Sequence, residues 1–301
     1  MKQIIFLTIL LLSLNAYAEK ITGETCGDDC EWSLENGVLT IKGSGRINDY
    51  SRNCTCHDYE CCSTNAPWFQ HQENITKVVI QNKSDTEKFT SIGSHAFEDM
   101  HSTREVVLPN GLVSIENEAF HANLALEKIN LPDTLQEIGD WGLSSTNLSS
   151  IDIPSSVSSI GYAAFNTSAL QTLIIPDNVS LSSRICDNCK SLTTVELGEN
   201  ALIVNEGEEY APFNDTPLLQ NFYCSEKDKE ACKEILVRSN KSEDLLKIYS
   251  KKGNRYIYDG KMYSSLSDIS RGNIFIPKRI YTVQEANIVS GKKNSVMIRY
   301  K

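Results

Sequence analysis

The cysteines are the residues whose type and spacing point most directly to chemistry. Four of them lie in the segment CTCHDYECC, residues 54–62, with His57 between the two pairs. Thiolates and an imidazole at such short spacing can bind zinc, since a structural zinc site takes four sulfur or nitrogen ligands. The same residues could also supply a nucleophilic Cys–His pair, although no third group that would orient the histidine can be named.

Disulfides fit these cysteines better than a metal site or catalysis. The spacing in residues 54–62 is not a standard zinc pattern, and the chain has ten cysteines, an even number. Cysteines of exported proteins are kept oxidised. We therefore predict disulfides and no bound metal, and the connectivity within the cluster stays open. The disulfide candidates are Cys26, Cys30, Cys54, Cys56, Cys61, Cys62, Cys186, Cys189, Cys224 and Cys232.

Two of these pairs lie far from the cluster. Cys186 and Cys189 form a C-x-x-C motif, which could be a redox centre. Both fall on packing positions of a repeat, so a structural pair or two buried thiols is the favoured interpretation. Cys224 and Cys232 flank the start of a helical stretch at residues 227–237. We predict a disulfide between them that fixes this helix.

The N-terminus predicts export. Lys2 precedes an apolar run at residues 4–14, and Ala16-Tyr17-Ala18 supplies the small residues of a cleavage site. This pattern is typical of a signal peptide, here residues 1–18. The run is too short to span a bilayer, which takes about 20 apolar residues. The mature protein is expected to be secreted, periplasmic or on the cell surface, with no transmembrane segment.

Residues 74–224 contain a unit of about 22 residues that repeats. Its prolines, Pro109, Pro132, Pro154 and Pro176, are spaced 23, 22 and 22 apart. Apolar residues recur in the same register at further positions. An isoleucine slot holds Ile92, Ile115, Ile138 and Ile160; an aromatic slot holds Phe97, Phe120, Leu143 and Phe165; a leucine slot holds Leu126, Leu148, Leu170 and Leu192. A fixed period in the twenties predicts a solenoid, in which each unit buries its apolar side against its neighbours. We expect one parallel sheet.

The outward positions of the predicted strands are the candidate binding surface. They form two mixed polar ladders, and the members near the middle of the array lie away from both ends. These candidate binding residues are Lys128, Asn130, Asp152, Thr172, Ile174 and Glu196. No catalytic residue and no cofactor is predicted, because the sequence has no nucleophile elbow, H-E-x-x-H, P-loop or dinucleotide-binding motif.

The segments on either side of the repeats have their own character. Residues 19–73 predict a cysteine-rich cap built on a β-hairpin at Asn36-Gly37. Residues 225–301 predict a helical cap and a small basic module, with a hairpin at Asp259-Gly260 and a helix opened by a capping box at residues 282–285.

Charge is distributed unevenly along the chain. The net charge is −10, yet residues 227–301 carry 17 basic and 8 acidic residues. This asymmetry is typical of two differently charged soluble modules. No nucleic-acid-binding motif accompanies the basic segment, so we predict no nucleic-acid partner.

The repeat L-x-x-I-x-L-P-x-x-L-x-x-I-G-x-x-A-F resembles that of the BspA-like leucine-rich-repeat surface proteins. Ile138-Gly139, Ile160-Gly161, Ala119-Phe120 and Ala164-Phe165 match it closely, and Ala66-Pro67-Trp68 is similar to the lead-in before such arrays. The resemblance implies an α/β repeat solenoid of the leucine-rich-repeat type, rich in β structure, with an N-terminal β-hairpin cap and a small C-terminal α+β module. It also implies an exported, non-catalytic protein of adhesion or recognition.

Three functions follow from these patterns. The first is recognition of an unknown protein or glycan through the repeat surface. The second is a structural role in the cell envelope, with the basic C-terminal module as the attachment. The third is a metal-binding or thiol enzyme that uses Cys54–Cys62. Whether the isolated array binds a partner without its tail separates the first two.

Overall fold

A computed structural model describes residues 20–23, 25–54, 62–203 and 211–273. The chain divides into two compact units after Ser250. Residues 1–19, which include the predicted signal peptide, and residues 55–61 of the cysteine cluster lie outside the described residues. The helix predicted from the capping box at residues 282–285 does so as well.

The first unit is made mainly of short strands. These are β1 (Ile21–Gly23), β2 (Gly27–Glu35), β3 (Val38–Ile47), β4 (Arg52–Cys54), β5 (Cys62–Thr64), β6 (Lys77–Asn82), β7 (Phe89–Ile92), β8 (Glu105–Val107), β9 (Ser114–Ile115), β10 (Lys128–Ile129), β11 (Glu137–Ile138), β12 (Ser159–Ile160), β13 (Thr172–Ile175), β14 (Ser180–Leu181), β15 (Thr194–Leu197), β16 (Leu202–Ile203), β17 (Asn221–Ser225) and β18 (Leu246–Lys252). Among the described residues its helical segments are two 3₁₀-helices, Phe69–Asn74 and Glu243–Leu245, and α1 (Lys229–Arg238).

The N-terminal cap is the predicted β-hairpin. β2 and β3 pair antiparallel through a turn at Asn36 and Gly37, whose φ angles of 50° and 78° are the left-handed values that a two-residue hairpin turn needs. β3 then pairs in parallel with both β6 and β7. A single strand therefore covers the first edge of two different ladders, which would otherwise be open to edge pairing.

The first ladder joins the strands that precede the prolines. β6, β8 and β10 pair in parallel, with Glu105 beside Lys77 and Lys128. β13, β15, β17 and β18 continue in parallel further along the chain. Between these two stretches, residues 150–152 have no strand conformation. The predicted strand face is therefore interrupted in its middle.

A second parallel ladder runs through the isoleucine slot. β7, β9, β11, β12, β14 and β16 pair in sequence, and Ile92, Ile115, Ile138 and Ile160 lie side by side. The prediction of a single sheet was wrong, because these two-residue strands also pair from repeat to repeat. Gly161 allows the close approach: a Cβ there would lie 2.5 Å from Asp140 N.

The third side of each repeat is a chain of turns, which we call the turn face. It contains no α-helix among the described residues of the array. Two columns of residues have positive φ there. The first column is His95, Glu118, Trp141, Ala163 and Arg184, and the second column is Asp99, Ala122, Ser145, Thr167 and Asn188. In the second column each N–H donates to a carbonyl of the next repeat at 2.8–3.1 Å, as for Asp99 N to His121 O at 3.0 Å. The turns are thus hydrogen-bonded from repeat to repeat like the strands.

Aromatic rings stack through the first part of the core. Trp68 stacks on Phe97 and Phe97 on Phe120, in both cases with ring centroids 5.2 Å apart. Trp68 Nε1 donates to Ala96 O at 2.9 Å, so the buried indole has its polar partner. Trp68 is therefore the apolar plug between the cap and the repeats.

Disulfides lie at both ends of the array. The bonds join Cys26 to Cys30, Cys186 to Cys189, and Cys224 to Cys232. The sulfur pair in the C-x-x-C motif is completely buried. The third bond links β17 to α1, which fixes the helix at the end of the first ladder.

The second unit begins at Lys251. Its β19 (Arg255–Tyr258) and β20 (Lys261–Tyr263) form the expected hairpin around Asp259 and Gly260, both with positive φ. Helix α2 (Leu266–Arg271) follows. It starts with a capping box between Ser265 and Asp268 and ends at Gly272 in the left-handed conformation.

Candidate binding groove on the turn face

The predicted strand-face residues do not form one free surface. The side chain of Asn130 forms two hydrogen bonds with the main chain of Leu108 in the neighbouring repeat. Its Oδ1 accepts from Leu108 N at 2.9 Å, and its Nδ2 donates to Leu108 O at 3.0 Å. The amide takes the place of a main-chain strand partner. Asn130 is exposed and its amide supports the scaffold, and its role in recognising a ligand stays a prediction.

The prediction that Glu196 lies on the outward surface of the ladder is wrong. We expected its side chain to point outward, but the residue is 0% exposed. Its strand lies between β13 and β17, where it is in register with Ile174 and Tyr223. It is enclosed in the first unit and cannot meet a partner there.

The other four predicted positions are exposed or half-buried. Lys128 is exposed and pairs with Glu105 at 3.4 Å, and Glu105 pairs with Lys77 at 2.9 Å. Asp152 is exposed in the interrupted stretch, whereas Thr172 and Ile174 are half-buried. A flat row of surface ion pairs contributes little binding energy by itself.

The turn face carries a groove that the sequence did not predict. Two adjoining depressions of about 610 Å³ and 290 Å³ share Leu124 and Ser145 as lining residues. All five residues of the second positive-φ column line the depressions. We define the groove by these two depressions. It crosses five consecutive repeats, and Leu124, 62% exposed, lies where its two halves meet.

Trp141 forms a side wall of the first half. Its indole makes edge contacts with His121 at 5.9 Å and with Tyr162 at 5.7 Å between ring centroids. These neighbours hold the half-buried ring in place. A large aromatic surface that is already fixed loses little conformational entropy when a ligand packs on it.

An ion-pair network closes the end of the groove nearest the cap. Arg52 Nε lies 3.1 Å from Glu98 Oε1, and Arg52 Nη1 lies 3.3 Å from Glu118 Oε2. His95 Nδ1 lies 2.7 Å from Glu98 Oε2. Glu98 is fully buried, so the Arg52 guanidinium and the hydrogen bond with His95 stabilise a charge that would otherwise be costly. The network also holds β4, the strand that leads into the cysteine cluster, against the first repeats.

The same residues contain ligand atoms that could coordinate a metal ion. One ligand atom from each of His95, Glu98 and Glu118 lies within 4.8 Å of the others. The guanidinium of Arg52 already supplies positive charge to both carboxylates, and a metal ion would have to displace it. We therefore assign the cluster to ion pairing.

Burial shifts the pKa values of several side chains at this end. Burial, and then the charge of Glu98, raises the pKa of Asp99 to about 6. Burial lowers the pKa of His121 to about 4, which keeps the ring neutral at pH 7. The hydrogen bond to Glu98 raises the pKa of His95, and burial raises the pKa of Glu118. Each shift follows from desolvation or from one close partner.

Only the base of the cysteine cluster is described. Cys54 and Cys62 are the last pair in the main-chain register of β4 and β5. Cys56, His57 and Cys61 lie outside the described residues. The metal or thiol chemistry considered for this segment therefore stays a hypothesis.

The position of the groove residues in each repeat could have been read from the sequence. Each residue of the second positive-φ column lies two positions after the aromatic slot, as Asp99 follows Phe97 and Ala122 follows Phe120. The column was missed because its side chains differ in every repeat. Trp141 likewise has no counterpart at the equivalent position of its neighbours.

These ladders and their register define a leucine-rich-repeat solenoid. Residues 63–193 match the family described as BspA type Leucine rich repeat region, in six copies. Residues 63–193 are therefore of the BspA leucine-rich-repeat type, which confirms the resemblance noted in the repeat motif.

Several solved bacterial structures are similar in fold. A leucine-rich repeat protein from Eubacterium ventriosum is 20% identical and covers 68% of this chain and 56% of that chain, with a TM-score of 0.51. The leucine rich repeat protein of T. pallidum is 20% identical and covers 66% of this chain and 81% of that chain, with a TM-score of 0.45. A protein from Bacteroides ovatus is 20% identical and covers 75% and 52%, with a TM-score of 0.40.

The chain spans about half of the Eubacterium and Bacteroides structures. At 20% identity, the likeness to the Eubacterium structure shows the fold alone. No curated protein matches the chain. None of the helices among the described residues has the length and apolar character needed to cross a membrane.

Proposed function

We propose that this chain is an exported, non-catalytic recognition protein that binds an extracellular protein or glycan in the groove of the turn face. The observation that carries the proposal is the groove itself: a half-open channel across five repeats with Trp141 on its wall and Leu124 exposed in its middle. Concave, largely apolar sites with a few polar groups are the usual places where proteins bind ligands.

Most charged groups at this end of the groove have structural partners. Glu98 is fully buried between Arg52 and His95, and His121 is neutral at pH 7 because of its burial. These groups hold the end of the groove together, and Asp99 remains on its floor as a polar group that a ligand can reach.

Export is the second part of the proposal. It rests on the predicted signal peptide at residues 1–18 and on the three disulfides of the described residues, which are typical of oxidising compartments. The mature protein would then be secreted, periplasmic or on the cell surface. Attachment to the envelope through the basic C-terminal module is the competing structural role.

The test is a binding panel with two matched variants. The full mature chain is immobilised and exposed to purified extracellular-matrix proteins and to immobilised glycans. Leu124→Arg fills the middle of the groove, and Asp152→Arg places the same side chain on the strand face. Both positions are exposed, so both variants should fold, which circular dichroism checks.

The outcomes separate the two faces. Binding to a panel member that is lost in Leu124→Arg and kept in Asp152→Arg supports the proposal. Loss in Asp152→Arg alone would move the site to the strand face. A folded chain that binds nothing in the panel would contradict recognition and favour the envelope role.

A further inference from the structure

We infer that the groove binds a neutral, linear oligosaccharide laid along the solenoid axis. This inference rests on the proposed function and names the class of ligand.

The spacing of the groove suits a polymer with a short repeat. The second positive-φ column places one side chain per repeat at its floor: Asp99, Ala122, Ser145, Thr167 and Asn188. Their main chains are hydrogen-bonded from repeat to repeat, so neighbouring side chains are about 4.8 Å apart and the column is roughly 19 Å long. That interval is close to the length of one hexose unit in an extended chain. Successive sugars would thus meet successive repeats.

The floor offers side-chain hydrogen bonds but few main-chain ones. The main-chain N–H groups of the column already donate hydrogen bonds to carbonyl oxygens of the next repeats. The pairs are Asp99 to His121, Ala122 to Ser144 and Ser145 to Asn166. An extended peptide that adds to a sheet needs free main-chain donors and acceptors. Ser145, Thr167 and Asn188 instead present hydroxyl and amide groups, which match a ligand rich in hydroxyl groups. The Thr167 hydroxyl donates to Asn166 Oδ1 at 2.8 Å, so it would meet a ligand as an acceptor.

The carboxylate of Asp99 has an oxygen atom that could accept a hydrogen bond from a ligand. The residue is 4% exposed and lines the groove, and its Oδ2 has no hydrogen-bond partner among the described residues. A buried polar atom without a partner is costly, and a ligand hydroxyl would satisfy it. Two carboxylate oxygens can accept from adjacent hydroxyls of one sugar ring.

The charges of the lining favour a neutral ligand. Arg52 pairs with Glu98 and Glu118, and Lys190 pairs with Asp215 at the other end. Because both cations are already paired, an anionic polymer would gain little from them. Trp141 offers an apolar ring face on which the C–H face of a sugar can pack.

The experiment titrates cellotetraose, chitotetraose and maltotetraose into the full chain. Of the three tryptophans, Trp32 and Trp68 are 6% and 0% exposed, so a change of tryptophan fluorescence reports on Trp141. We expect a saturable change with at least one tetrasaccharide. Affinity should rise from disaccharide to tetrasaccharide and level off beyond about five units, because the column has five members.

Variants locate the site by calorimetry. Trp141→Ala should weaken binding at least tenfold. Leu124→Arg should abolish it, and this second variant serves if Trp141→Ala fails to fold. Asp99→Asn should weaken binding several-fold because the amide offers one acceptor oxygen in place of two. Asp152→Arg on the strand face should bind like the unchanged chain.

Other outcomes would overturn the inference. They are no binding of the three sugars to the folded chain, binding that survives Leu124→Arg, or binding of tetralysine in their place. If a panel protein binds the groove while the three sugars do not, the ligand class is wrong and the proposed recognition function stands.

Discussion

Asn130 and Leu108 form a two-way bridge in which one amide side chain accepts from the neighbouring N–H at 2.9 Å and donates to the same residue's carbonyl at 3.0 Å. The bridge joins adjacent repeats where β10 ends. A residue that we expect to bind a ligand therefore also extends the ladder.

We predict that Asn130→Ala destabilises the chain by about 1–2 kcal/mol. The change removes two hydrogen bonds and leaves the main-chain groups of Leu108, a buried residue, without these partners. Urea unfolding measures the difference. Asn110→Ala is the control, because only the main-chain oxygen of this exposed residue accepts a bond, from Asn82. Equal stability of the two variants would show that the bridge contributes nothing.

We predict that Phe120→Ala costs about 3–5 kcal/mol. Phe120 is 0% exposed and stacks on Phe97, and the repeats on either side hold the walls of the resulting void in place. Leu124→Ala, at an exposed position in the same repeat, should cost less than about 0.5 kcal/mol. An unchanged melting midpoint for Phe120→Ala would mean that this slot is not part of the core.

The raised pKa of Asp99 predicts a stability change at neutral pH. The folded value of about 6 lies above the ordinary 3.8, so this group stabilises the fold at low pH and the contribution is lost as pH rises through about 6. Asp99→Asn should therefore gain up to about 3 kcal/mol relative to the unchanged chain at pH 8 and little at pH 4. Asparagine also tolerates the residue's positive φ.

His121 predicts the opposite trend. Its folded pKa of about 4 lies below the ordinary 6.5, so its contribution is present above pH 6.5 and is lost as pH falls through about 4. His121→Gln should gain stability relative to the unchanged chain at pH 4 but not at pH 8. Unfolding curves of Asp99→Asn and His121→Gln at pH 4 and pH 8 test both predictions. A parallel response of Asp99→Asn and His121→Gln would contradict the assigned causes.

We predict that the mature protein carries disulfides and no stoichiometric zinc. Three bonds are present in the described residues, and Cys54 and Cys62 are partners in the main-chain register of β4 and β5. Thiol titration of the denatured, unreduced protein should find few free thiols among the ten cysteines. One zinc per chain by elemental analysis, together with four free thiols, would instead support the metal site.

Much of the core could be predicted from the sequence, since buried slots keep the same kind of side chain in every repeat. Ile115 and Phe120 were placed in this way and are buried. The second ladder was not predicted, because strands of two residues are too short to show alternation. Cys224–Cys232 was predicted from the position of the helix beside it and is present.

The binding surface was harder to predict for a physical reason. Exposed side chains are not constrained by packing, so Ala122, Ser145 and Thr167 share a position without sharing a chemical type. The burial of Glu196 depends on strands that meet only in the folded chain. Trp141 occurs once and therefore gives no periodic signal.

Footprinting of a complex distinguishes binding in the groove from binding on the strand face. The mature chain is labelled with a photochemically generated carbene, alone and saturated with a bound panel member or tetrasaccharide, and the modified side chains are identified by mass spectrometry. The account predicts protection of Leu124, Trp141 and Thr167, with unchanged labelling of Lys128 and Asp152. Protection of Lys128 and Asp152 with an open groove would contradict it and place recognition on the strand face.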